Sequence, residues 1–155
     1  MHNQDTKLDK TGFAEESDGR TNATARRLQS ATYFIDLENR FVLVRFTGTI
    51  SFQDIKDYAG HLRADPQFHP SFSEIIDLRN VEEVELTATQ AMNLADTVDP
   101  FAIESRRAFV VQSQAQIHAA HIHRILRPEG GKILVSSSME EAKQWLRTGS
   151  RHVGQ

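Results

Sequence analysis

The chain has 155 residues, enough for one domain with a buried core and too few for two of ordinary size. Its 39% hydrophobic and 25% charged residues are the proportions of a folded globular chain. The formal net charge of -3 includes no basic block that could neutralise a phosphate backbone, which argues against a nucleic-acid partner. Cysteine is absent, which removes disulfides, thiolate zinc sites and thiol nucleophiles.

The opening MHNQDTKLDKTGF lacks the apolar stretch of a secretory signal, and the apolar run from Phe41 to Val44 stops at Arg45. A cytoplasmic protein without a transmembrane segment is expected. Residues 1–30 mix acids (Asp5, Asp9, Glu15, Glu16, Asp18) with bases (Lys7, Lys10, Arg20, Arg26, Arg27) and hold few large apolar groups. Such a segment does not offset its ordering entropy, so a disordered polar tail is expected there.

From Thr32 the runs TYFIDL and FVLVRFTGTI flank a short polar connection, as a β-hairpin requires. Val42, Val44 and Phe46 alternate onto one face and Phe41 and Leu43 onto the other, which places the second strand inside the sheet, covered on both sides. Ser51 caps a helix to Ala64 with Ile55, Ala59 and Leu62 inward, ended by Asp65-Pro66. Ser73 to Leu78 reads as a buried strand, followed by a polar loop from Arg79 to Glu85. A second helix opens at Ala88 behind a Thr87/Gln90 capping box, with Ala91, Leu94, Ala95 and Val98 on one face.

Ala108 to Val111 supplies the next strand, and Gln114 to Arg127 a helix with Ala115, Ala119, Ile122 and Leu126 inward. Ile133 to Val135 returns as a strand. The last helix opens at Ser138 and buries Met139, Ala142, Trp145 and Leu146, with a frayed tail over 148–155. Strands alternating with helices predict one α/β domain over 31–147: a largely parallel mixed sheet with an N-terminal antiparallel hairpin and about four covering helices.

This order of elements, with the stretch IIDLRNVEEVELTATQAM and the helix EEAKQWL, resembles the STAS domain of sulfate transporters and anti-sigma-factor antagonists, the SpoIIAA-like fold. It is most like the uncharacterised bacterial STAS-like proteins, in Ile75 to Arg79 and Glu140 to Leu146. The resemblance covers roughly Ala31 to Leu146 and implies a non-catalytic regulatory module with a protein partner. Antagonists of the family carry a phosphorylatable serine in an Asp-Ser-Ser/Thr-Gly turn, where this chain has Glu85-Leu86-Thr87-Ala88. The acid and Thr87 fit that pattern and Leu86 and Ala88 do not, so Thr87 is the candidate phospho-acceptor as well as a helix cap.

Ligands of parallel sheets gather beyond the carboxyl ends of the strands. That rim contains Asp77, Arg79, Asn80, Gln112, Ser113 and Gln114, joined by Ser136 and Ser137, and could hold a small molecule, a lipid headgroup or a partner's backbone. Phe68, Phe72 and Phe101 fall in predicted loops, which favours a small-ligand or lipid carrier as the alternative, and with an edge strand at Tyr33 invites a homo-oligomer. An enzyme using Asp77 or a histidine as base is a further alternative. His118, His121 and His123 do not converge on one helix side, so no metal is expected. Glu82, Glu83 and Glu85 read as a solvated acidic run, and no phosphate-binding glycine loop or nucleophile elbow is present, so no cofactor is expected.

Overall fold

The hairpin is the seed of the sheet, because its second strand is apolar on both faces and must be buried twice. In the computed structural model, which describes residues 25–126 and 132–153, β2 (Ala31–Asp36) and β3 (Phe41–Ser51) pair antiparallel around a turn closed by Asp36 and Asn39. A two-residue strand, β1 (Arg26–Arg27), pairs with β2 in front of it. Residues 26–30 are therefore part of the domain rather than of a tail: Leu28 packs on the core, and Arg26 bonds Asp65 at 2.8 Å. Of the tail expected over residues 1–30, residues 1–24 lie outside the described residues.

After β3 the chain runs α1 (Phe52–Ala64), β4 (Ser73–Glu85), α2 (Ala88–Asn93), a π-helical segment (Leu94–Val98), β5 (Arg107–Val110), α3 (Gln114–Leu126), β6 (Ile133–Ser136) and α4 (Met139–Val153). Strand order in the sheet is sequence order, β1 to β6, parallel from β3 onward. Each crossover thus steps one strand in the same direction, and with a common right hand all three crossover elements fall on one face. The packing agrees: Tyr58 and Leu62 of α1 and Ala120 of α3 share a core with Val42, Val44, Phe46 and Ile76. α4 folds back over the other face, where Ala142 and Leu146 meet Phe34, Leu43, Ile75 and Val110.

The stretch expected as a loop, Arg79 to Glu85, is strand. β4 continues beside β3 to the Ser51–Glu85 pair, through two irregularities in register at each of which β4 carries an extra residue. Polar composition hid it because only one side of the extension is covered: Val81 is buried and Val84 half-buried, whereas Glu82, Glu83 and Glu85 face solvent. Gly48 sits in β3 at the second irregularity with φ 73°, a left-handed conformation that favours glycine. The last helix also continues to Val153, past the point at which a frayed tail was expected.

α3 is rotated from its predicted phase. Its buried residues are Gln116 and Ala120, with His123 half-buried on the same stripe, while Ala115 is exposed. The cause lies in β4: β5 ends at Val110 opposite Asp77, so the carbonyls of Arg79 and Val81 project past it without a strand partner. Gln116 turns inward to serve them, its amide donating to Val81 O at 2.9 Å and Arg79 O at 3.4 Å.

Candidate functional site

The strand-end rim is a bonded structure. Asp77, 1% exposed, accepts from Arg45 Nε at 3.0 Å and from Arg79 Nε and Nη2, each at 2.9 Å. Burial opposes its ionisation, but the hydrogen bonds and charge of Arg79, joined by Arg45, outweigh it and hold the carboxyl below its ordinary value of 3.8. Gln112 donates its side-chain amide to Arg79 O at 3.0 Å and its backbone N–H to Gln116 Oε1 at 2.7 Å, and Ser113 Oγ accepts from Gln116 N. Asp77, Arg79, Gln112 and Ser113 thus come together around Gln116, which the sequence reading had not singled out. Asn80 lies further along β4 opposite Thr47, and exposed Gln114 opens α3. Ser136 is buried and donates to Glu141.

A second feature lies on the three-element face, where α2 and the π-helical segment stand apart from α3. Between them is a cavity of about 160 Å³. One wall is Ala91, Leu94, Ala95 and Val98; the facing wall is Ala119, Ile122 and Leu126; Phe46, Ile76 and Phe109 of the sheet lie beneath. Ile122 is 37% exposed, so the cavity reaches the surface there.

A buried charge cluster also borders this cavity. Arg107, the first residue of β5 and 5% exposed, donates Nη1 to Glu74 Oε1 at 2.8 Å and Nη2 to both oxygens of Asp99 at 2.6 Å. Tyr58 OH donates to Glu74 Oε2 at 2.7 Å. Burial, followed by the Glu74 charge, pushes the Tyr58 hydroxyl well above its ordinary range. Burial opposes the Arg107 charge, yet Glu74 and Asp99 outweigh it and raise its pKa. Sequence reasoning missed this cluster because its members are far apart in the chain and each alone reads as a surface charge.

No protein-family model matches the sequence and no curated protein matches it. Two solved structures share its architecture. One is an uncharacterised DUF3478-family protein from Shewanella loihica PV-4, with a TM-score of 0.51 and 17% identity over 80% of this chain and 91% of that one. The other is an anti-sigma factor antagonist from Mycobacterium paratuberculosis, with a TM-score of 0.50 and 16% identity over 81% of this chain and 93% of that one. The first of these has a SpoIIAA-like fold. This chain has the SpoIIAA-like fold.

Within this fold, Thr87 is the N-cap of α2: its Oγ1 accepts from Gln90 N at 3.1 Å, and Gln90 Oε1 accepts from Thr87 N at 3.0 Å. His118 and His121 face solvent, while the His123 ring lies 5.4 Å from that of Phe109 and borders the cavity. Among the described residues no group of three histidine, aspartate or glutamate side chains could hold a metal ion, and no helix is long and apolar enough to cross a membrane. The three loop phenylalanines are a packed cluster and not an exposed patch. Phe72 and Phe101 are buried, and Phe68 stands edge-on to each at 6.2 and 5.1 Å. They supply no surface for self-association.

Proposed function

We propose that this domain is a non-catalytic regulatory module of the STAS-like type that acts by binding another protein. The observation that carries the reading is a set of large apolar side chains held out to solvent on the two helical elements that flank the cavity. Met92 of α2 is 53% exposed, and Ile122 and Ile125 of α3 are 37% and 70% exposed. Single exposed apolar residues are ordinary, whereas a group on neighbouring helices marks an interaction surface. Two further facts support it. The fold is shared with an anti-sigma factor antagonist. The buried carboxylates Asp77, Glu74 and Asp99 are each bonded to arginine, so their oxygens are engaged in salt bridges rather than open to a substrate proton.

Affinity capture from the source organism's lysate, with the wild-type chain and with Met92→Glu/Ile125→Glu, tests the reading. A protein retained by the wild type and lost by the double variant is expected. Identical retention by both would remove the surface, and turnover of a defined metabolite by the purified chain would remove the non-catalytic assignment. Thr87 enters the module as its candidate phospho-acceptor, supported by its exposed position at the start of α2. Phosphopeptide mapping of the native protein checks this, with a phosphate on Thr87 expected.

A further inference from the structure

We infer that the cavity between α2, the π-helical segment and α3 is a binding site for a compact amphipathic molecule, apolar in body and neutral or cationic at its polar end. The inference does not rest on the protein-partner reading: the cavity lining shares Ile122 with the exposed apolar set but includes neither Met92 nor Ile125.

Three observations lead there. The first is size: the cavity holds about 160 Å³, and an apolar cavity of roughly 150 Å³ accommodates benzene. The occupant is therefore a single ring or a short chain, and not a diacyl lipid. The second is how the space is kept open. Ala91, Ala95 and Ala119 line facing walls, where larger side chains would have closed the gap, and the π-helical geometry of Leu94–Val98 widens the backbone of one wall. Such segments are rare and occur frequently at functional sites.

The third is charge. Glu74, Asp99 and Arg107 all border the cavity, two carboxylates against one guanidinium, which leaves a formal charge of one negative unit. Tyr58, also on the wall, stays protonated and adds none, and His123, counted neutral, is the remaining ionisable group of the lining. In a weakly screened interior a ligand carboxylate or phosphate is repelled by this border, while an ammonium is attracted and a hydroxyl is accepted. The site thus selects by sign as well as by size.

Three ligands of nearly one shape, benzyl alcohol, benzylamine and benzoate, test it on the full chain by NMR titration. Benzyl alcohol and benzylamine are expected to shift the methyl signals of Ala91, Ala95 and Ala119 saturably, in roughly the millimolar range, and benzoate to bind at least about tenfold more weakly. Ala119→Leu should abolish the shifts while raising the melting temperature. Ala95→Leu, from the opposite wall, should do the same and covers the case in which the first variant does not fold. Absence of saturable shifts for all three ligands would overturn the site. Equal binding of benzoate would overturn the charge selection, and unchanged binding in the folded filled variants would overturn the location.

Discussion

Gly48 and Asp77 show how much depends on single positions in β3 and β4. The φ of 73° at Gly48 is costly for any residue with a Cβ, although the space around that Cβ is open. Gly48→Ala is therefore expected to destabilise the domain by about 1–2 kcal/mol in urea unfolding, from backbone strain alone. Asp77 has its folded-state pKa depressed, so its contribution to stability is full well above pH 3.8 and is lost as pH falls through the lower folded value. Asp77→Asn should accordingly be less stable than the wild type at neutral pH, with the gap narrowing below about pH 4 as the wild-type carboxyl protonates. A gap that stays constant down to pH 2 would contradict the ion-pair account. Neither role is legible in the sequence: Gly48 lies within a convincing strand, and Asp77, though placed on the strand-end rim, gives no sign there of its two arginine partners.

At the scale of elements, α3 and β4 depend on one another. Gln116 is buried where it serves two β4 carbonyls, and Gln112 also donates to that of Arg79, so Gln116→Leu, though it adds apolar surface, removes the side-chain donor to Val81 O and should cost about 1–3 kcal/mol in denaturant unfolding. The same substitution in a solvent-facing turn of α3 should be nearly neutral. For α2, Thr87→Ala is expected to lose about 1 kcal/mol through the cap alone. The periodicity of α2 and α3 did identify residues that line the cavity, Ala91, Leu94, Ala119 and Ile122 among them. It could not show that the two faces stop short of each other.

Over the whole molecule, the cluster of Arg107 with Glu74, Asp99 and Tyr58 joins β4, β5, α1 and the end of the π-helical segment. Removing its one cation strands two buried carboxylates, so Arg107→Met should destabilise by about 3–5 kcal/mol, measured by thermal and urea unfolding. Arg106, the next residue along, turns to the other face, where its guanidinium lies 4.0 Å from the centre of the Trp145 ring of α4. Two adjacent arginines thereby tie β5 to both layers. At the far edge, β1 is short but anchored by the Arg26–Asp65 ion pair, which Tyr33 OH joins at 3.1 Å. A chain begun at Ala31 should be measurably less stable than one begun at Ala25.

What the sequence determined by itself was the set of local elements and the class of fold. Alternating apolar residues marked β2 and β3, the Ser51 cap and the Thr87 capping box marked two helix starts, and the strand–helix rhythm implied a mostly parallel sheet. These follow from short-range chemistry, since period and capping are properties of neighbours in the chain. The tertiary structure decided the rest. β4 runs on because β3 lies beside it to pair with, and α3 turns because β5 stops short and leaves carbonyls to be satisfied. Glu74, Asp99 and Arg107 become a buried cluster, and two alanine-lined faces become a cavity, because packing sets the distances between segments remote in sequence. No local pattern encodes those distances.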